Sequence, residues 1–301
     1  MTSQHTLSSL SDSLADAVEA ATKGVVRIRS GRRVATGVAW SVDGQIVTVA
    51  GAVGRNQTAS VTLPTGMEVE ATVKGIDPAL DIALLHVDSD LTPIERVDGS
   101  DLRVGSIALV VGRPGRSVRA ALGLVSGRSD EAWTTPMGAK VDRFIDVDSS
   151  LPPGFGGGAL VDSDGYIVGM NSRGLVRGGT TIPSDTVERA VQQLAEHGTR
   201  ARGWLGVRFE AVTLEGEDAT AADAGAGLLV RKAAESSPAS EAGVRIGDVL
   251  LSLDGKPLGT WRELAQALAG AAGRPQPLRV LRGGAAVELT VTPSEKRGLR
   301  C

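Results

Sequence analysis

Cysteine is all but missing from this sequence: of 301 residues only the last, Cys301, carries a thiol. That excludes an internal disulfide and agrees with a reducing compartment. With no prenylation box and no partner residues around it, Cys301 reads as an inert tail. Aromatic residues are scarce too, 3% of a chain that is 42% hydrophobic, so the cores must be built from Val, Leu, Ile and Ala, which favours strands wherever Val and Ile alternate. No stretch approaches the roughly 18 consecutive apolar residues of a membrane span. Residues 1–24 hold no apolar run of the length a secretory leader needs. The expectation is therefore a cytoplasmic chain that does not engage a membrane. Nor is there a surplus of either charge: 32 Lys and Arg stand against 35 Asp and Glu, interspersed, for a net charge of -3. Such a surface has no long-range field to gather nucleic acid. The clusters Arg32-Arg33 and Arg200 to Arg202 read as solvated element ends.

What is plentiful is glycine, 39 residues, which suits tight turns between short strands and argues against an all-helical chain. The length favours two domains. Leu10, Leu14, Val18 and Ala21 recur at helical spacing after a Ser/Asp cluster able to cap, and Gly24 closes the run, predicting a helix over about 11–22. Short alternating segments follow at 25–29, 34–40, 46–49, 59–63, 68–76, 82–87, 107–111, 120–126, 144–147, 159–161 and 166–171, the pattern of a barrel or sandwich. Ser184 or Asp185 then caps a second helix carrying Val187, Ala190, Val191 and Leu194 on one face, with Gly198 at its stop position. Residues 198–203 read as a linker. Beyond it come strands at 205–209, 227–232 and 249–253, a capping box from Thr260 to Glu263 opening a helix to about Leu268, and a hairpin, 278–281 with 286–291, around Gly283-Gly284. The expected division is a tail and helix over 1–24, a strand-rich domain over 25–198 and a smaller domain over 199–297.

Three segments carry motifs. The first holds Thr36-Gly37-Val38, Asp43-Gly44, Ile46-Val47 and Thr48-Val49-Ala50-Gly51-Ala52-Val53. The second is Asp77-Pro78-Ala79-Leu80-Asp81-Ile82-Ala83-Leu84-Leu85, and the third Pro152-Pro153-Gly154-Phe155-Gly156-Gly157-Gly158-Ala159-Leu160. In order and interval they resemble the signatures of the HtrA (Deg) family of trypsin-like serine proteases with C-terminal PDZ domains, and the resemblance runs from about 13 to 292. It implies a mainly β fold: a chymotrypsin/trypsin-like double β-barrel with an N-terminal helix, followed by an α+β PDZ domain. The family reads Thr-Asn-x-His-Val, Asp-x-x-x-Asp-Leu-Ala-Leu-Leu and Asn-Pro-Gly-Asn-Ser-Gly-Gly-Pro-Leu. Here the base position holds Gly51, the carboxylate position Asp81 and the nucleophile position Gly156.

Serine-protease chemistry needs a hydroxyl to attack the carbonyl and an imidazole to take its proton, with the carboxylate only orienting that imidazole. Asp81 alone does neither, so no meaningful peptide hydrolysis is expected. Rescue by other residues is poorly supported. His86 lies five residues beyond Asp81, on the opposite face if that strand is regular. His5 sits in the tail and His197 at a helix end, where an imidazolium suits the dipole. Ser149 and Ser150 lie in the strand-end segment before the Gly-rich loop, and either as a relocated nucleophile is the minor alternative. The neighbours have drifted as well: Phe155 and Ala159 stand where the family has Asn and Pro, which single-residue laboratory inactivation does not produce. Gly154 to Gly158 reads as an anion-holding nest or, preferably, a flexible turn.

The segment Thr180-Thr181-Ile182-Pro183-Ser184, the second helix and Gly203-Trp204-Leu205-Gly206-Val207 resemble the family's junction between protease and PDZ domains. That resemblance implies a loop, Trp204, Leu205, Gly206 and Val207, whose N–H groups hold the carboxylate of a peptide C-terminus beside a strand edge. Leu264 and Leu268, four apart on the helix after Thr260, line the groove or belong to the core. Residues 242–250 and 254–258 match the PDZ body and read as fold-making turns. The implied partners are protein C-termini or unfolded peptides, with no cofactor, metal, nucleic acid or membrane. A homotrimer, or association with active relatives, is the other family expectation. Trimers in the family are often held by N-terminal aromatics, and residues 1–39 contain none.

Overall fold

The computed structural model describes residues 2–54, 56–176, 178–199 and 203–295, so Cys301, the Arg200 to Arg202 cluster and the side chain of His5 lie outside the described residues. The chain divides into two compact units, Met1–Thr135 with Ala139–Arg200 and Ala201–Cys301 with Pro136–Gly138.

Helix α1 (Thr2–Thr22) starts well before residue 11. The Ser/Asp cluster does not cap it: the Ser13 hydroxyl bonds back to the Ser9 carbonyl at 2.9 Å, inside the helix. Its C-terminal half buries Ala17 and Ala21, with Leu14 and Val18 packed alongside. The helix end is held by Arg113, a buried side chain donating to the carbonyls of Val25, Arg116 and Thr22, where a cation complements the helix dipole.

The Val/Ile alternation then closes a first antiparallel barrel from β1 (Val25–Ser30), β2 (Arg33–Ala39), β3 (Gln45–Thr48), β4 (Thr58–Thr62), β5 (Glu68–Asp77) and β6 (Ile82–His86), with α2 (Ala50–Val53) after β3; the order is β1-β2-β3-β6-β5-β4. Ile28, Ile46, Ile82 and Leu85 are fully buried within its core. The second barrel takes β7 (Ile107–Gly112), β8 (Arg119–Ser129), β11 (Phe144–Val147), β12 (Ala159–Val161), β13 (Ile167–Ser172) and β14 (Thr180–Pro183) in the order β11-β14-β13-β12-β7-β8, with a small hairpin of β9 (Trp133–Thr134) and β10 (Lys140–Val141). Here the interior is Ala108, Val110, Val125, Ile145, Leu160 and Val168. Helix α3 (Ser184–His197) follows and buries the predicted face of Val187, Ala190, Val191 and Leu194. Its N-cap is Pro183, with no side-chain cap; the Ser184 hydroxyl goes instead to the Val97 carbonyl. Glu188 fastens α3 to the first barrel by accepting from Trp40 Nε1 at 2.9 Å, with Arg96 stacked 4.3 Å above the Trp40 ring.

The second unit contains β15 (Gly203–Trp204), β16 (Val207–Thr213), α4 (Gly216–Ala222), β17 (Ala226–Ala233), α5 (Pro238–Glu241), β18 (Val249–Leu253), β19 (Lys256–Pro257), α6 (Trp261–Ala267), β20 (Gln276–Arg282), β21 (Ala285–Val291) and β22 (Ser294–Glu295). Its sheet runs β16-β17-β18-β20-β21, with β19 on β18, which leaves β16 at an edge. The capping box forms: the Glu263 carboxylate takes the Thr260 N–H at 2.8 Å while Thr260 Oγ1 takes the Glu263 N–H at 3.3 Å. Gly283 and Gly284, at φ 55 and 78, make the two-residue turn between paired Arg282 and Ala285. Asp248, buried, is gripped on both oxygens by Arg282 at 2.8 Å, which holds its carboxyl below the usual range despite burial.

Candidate functional site

The candidate site of the first unit is built around Asp81. The Asp77 side chain accepts the N–H groups of Ala79 at 2.9 Å and Leu80 at 3.2 Å, a turn that delivers Asp81 in the left-handed region, at φ 55. Its Oδ2 accepts the Ser172 hydroxyl at 2.6 Å and its Oδ1 the Gly51 N–H at 3.4 Å. Burial pushes this carboxyl above its ordinary range, opposed by the hydrogen bonds from Ser172, Gly51, Ala50 and Gly174. Ser172 escaped the sequence reading, because a serine ending a strand carries no mark of its partner ninety-odd residues away.

The glycines beside Asp81 fall into two kinds. A Cβ on Gly157 would lie 2.2 Å from the Thr36 carbonyl oxygen, and one on Gly158 would lie 2.3 Å from that of Val111. One on Gly154, at φ 85, would meet Pro114 at 2.7 Å. Those three are required by the fold. Gly51 would place a Cβ in open space and Gly156 would touch only the Val49 methyls, from 3.5 Å, and neither has a left-handed φ. The two positions that the resemblance aligns with base and nucleophile thus have room for side chains that the sequence does not provide.

The loop from Gly154 to Gly158 is not the flexible turn expected of it. Phe155 is buried in the second barrel's core. Thr36 donates from its N–H to Gly156 O at 3.0 Å and from Oγ1 to Gly154 O at 2.7 Å, and Gly157 N–H reaches Asn171 O at 2.8 Å. Aromatic packing and hydrogen bonds fix the turn. Among the described residues the N–H groups of Gly154 and Gly156 donate to no protein acceptor.

Among the described residues no substitute base stands here. His86 faces Asp88, 3.4 Å away, and the exposed His197 faces Glu196 at 3.7 Å. The alternation argument for His86 had assumed a regular strand, yet Asp81 precedes β6 in a turn. Ser149 is half-buried in a small pocket with Leu151 and Asn171, and Ser150 is exposed. Among the described residues no group of His, Cys, Asp and Glu is placed to hold a metal ion.

In the second unit, Trp204 to Val207 forms a tight loop. Gly206 has φ 80, and a Cβ there would fall 2.3 Å from Ser237 Cβ. The carbonyls of Leu205 and Gly206 are taken by the N–H groups of Ala239 at 2.9 Å and Ala234 at 2.8 Å. Among the described residues the N–H groups of Leu205 and Gly206 have no acceptor, and β16, which begins at Val207, pairs with β17 alone. Leu264 and Leu268, 5% and 6% exposed, pack in the core with Leu205, Val230 and Leu250.

Residues 35–170 match the trypsin-like peptidase domain family and residues 203–292 the PDZ domain family. A probable periplasmic serine endoprotease, DegP-like, from Ectopseudomonas mendocina is 33% identical over 277 residues, 88% of this chain and 57% of that protein. The periplasmic pH-dependent serine endoprotease DegQ of Escherichia coli is 33% identical over 259 residues, 83% of this chain and 56% of its own length. The chain therefore spans about half the length of the curated relatives it matches. Among solved structures, the HtrA-type protease AlgW with decapeptide superposes with a TM-score of 0.63 at 27% identity, covering 94% of this chain and 98% of that one. These relatives overturn the cytoplasmic expectation: they are named periplasmic, and the lack of an apolar run in residues 1–24 does not locate the chain. No helix among the described residues is long and apolar enough to cross a membrane. With its two barrels, its PDZ unit and these matches, the chain belongs to the HtrA family of trypsin-like proteases with a C-terminal PDZ domain.

Proposed function

We propose that this chain is a non-cleaving HtrA-type protein: its PDZ domain, over 199–297, takes peptide C-termini or unfolded segments, and its barrel domain, over 25–198, acts as a scaffold. One observation carries the reading. Gly51 and Gly156 supply neither an imidazole at the base position nor a hydroxyl at the nucleophile position, although the backbone at both positions accepts a side chain. In the PDZ domain the recognising groups are N–H groups of Leu205 and Gly206 and the free edge of β16, so a peptide carboxylate and an added strand are the chemistry they fit. Leu264 and Leu268 contribute by packing under the loop. The solved structure of the HtrA-type protease AlgW with decapeptide supports peptide binding as the class of interaction.

The test is a pair of assays on the full-length chain, hydrolysis of unfolded casein and binding of a C-terminal peptide library. Binding without cleavage is the expected result. Cleavage blocked by a serine-directed inhibitor would replace this reading with that of a serine endopeptidase using a relocated nucleophile, the activity named in the relatives. Sedimentation of the chain alone and mixed with an active relative tests the remaining alternative, a trimer or a regulatory subunit.

A further inference from the structure

Helix α1 is longer than its seat. Leu7, Leu10, Leu14, Ala17 and Ala21 follow one another at intervals of three and four, a single apolar stripe. From Leu14 onward the stripe is covered: Ala17 and Ala21 are buried, Leu14 packs beside them, and the helix lies against β7 and β12. Before Leu14 it is bare, with Leu7 69% and Leu10 45% exposed. A second apolar face is bare on the same unit. Ala108 and Val110 point into the second barrel, so Ile107, Leu109 and Val111 form the outward row of β7. Leu109 and Val111 are buried there, yet their cross-strand neighbours on β8, Leu122 and Ala120, are exposed, as is Leu124 opposite Ile107; the two leucines stand 60% and 44% open. Gly105 and Ser106 bond to Val125, which brings the exposed Val104 to the far end of this face. Clustered exposed leucines mark a contact surface in a way that scattered ones do not. The charges match as well. Residues 2–22 carry Asp12, Asp16 and Glu19 and no Lys or Arg, whereas Arg119 begins β8 and Arg103 precedes Val104, both exposed and neither in an ion pair among the described residues. Asp148, a carboxylate beside the strand, is engaged by the Leu124 N–H at 2.7 Å.

We propose that the β8 face receives helix α1 of a second copy of this chain: Leu7 and Leu10 of one copy lie on Leu122 and Leu124 of the next, with Asp12 and Asp16 among Arg103 and Arg119. Within one chain the two faces stay apart, since all four leucines are exposed. Each copy lends a helix end and offers a strand face, so the contact closes as a reciprocal pair or as a ring and leaves neither patch bare. It draws nothing from the Trp204 to Val207 loop or from Gly51 and Gly156, so its failure would leave the proposed function standing.

The experiment is sedimentation equilibrium of the full-length chain over a range of concentrations, beside two double variants: Leu7→Ser with Leu10→Ser, and Leu122→Ser with Leu124→Ser. Because all four side chains are exposed, both variants should melt like the parent. The parent should associate, and each variant should raise the Kd of association about tenfold or more through the lost leucine burial. An equimolar mixture of the two variants should associate better than either alone, because the intact helix of one meets the intact β8 face of the other; a contact of helix with helix, or of β8 with β8, gains nothing from mixing. A parent that stays monomeric at every concentration, an assembly that either pair of substitutions leaves unchanged, or a mixture no more associated than its components overturns the proposal.

Discussion

The barrel cleft and the Trp204 to Val207 loop were built to do their work with different atoms. In the cleft, chemistry depends on side chains, and two of the three positions that matter hold glycine while the surrounding backbone is kept: Asp81 still has its Ser172 hydroxyl, and Gly154, Gly157 and Gly158 are still where no other residue fits. In the loop, the proposed recognition depends on N–H groups, and the residue the turn requires is a glycine, Gly206, held at φ 80 against Ser237. On the proposed reading, the absence of two side chains disables the first region while its frame is kept. It leaves the second untouched.

The sharpest way to break this comparison is to refill the cleft. Gly51→His with Gly156→Ser should raise casein hydrolysis by roughly 10³ or more, with either single change staying near background, because nucleophile and base act as a unit. A steady-state assay on the three variants reads it. The loop should behave in the opposite sense: Gly206→Val forces a β-branched side chain into a left-handed turn, where it meets Ser237, so peptide binding measured by fluorescence anisotropy should disappear, while Gly156→Ala should leave both binding and the melting temperature unchanged.

Two carboxylates extend the contrast to stability. Removing the cation from Asp248 with Arg282→Ala should cost about 3 kcal/mol in urea denaturation, because a buried charge then keeps only the Arg245 N–H, at 2.7 Å, on its carboxylate. Asp248 is held below the usual carboxylate range, so its stabilisation is present above the unfolded pKa near 3.9 and is lost as pH falls through the lower folded value. Asp81 is displaced upward, so its protonated form favours the folded state at low pH and that stabilisation is lost as pH rises through the folded value. Asp81→Asn should therefore remove that dependence and flatten the acid end of the pH profile in the direction opposite to Arg282→Ala.

Most of the frame was legible because it is written in periodicity and turn chemistry. Alternating Val and Ile marked the barrel strands, the Thr260 and Glu263 pair marked a helix start, and Gly283-Gly284 marked a hairpin. Three short helices were not legible: α2 and α5 are single turns and α4 buries only Ala222 among its residues, so none shows a periodic apolar face. The start of α1 was missed since Ser and Asp cap in some contexts and bond within the helix in others. In the site, the vacant positions Gly51 and Gly156 could be read from motif spacing. Their spatial setting could not: the Ser172 bond to Asp81 joins segments far apart in the chain, and Phe155 turned an apparently loose glycine run into an anchored one.

The central claim, that this cleft has a frame and no nucleophile, is tested most directly by a fluorophosphonate probe applied to the full-length chain beside the Gly51→His, Gly156→Ser variant. The account predicts a covalent adduct on Ser at position 156 of the variant and none on any serine of the parent. An adduct on Ser149, Ser150 or another serine of the parent would contradict it.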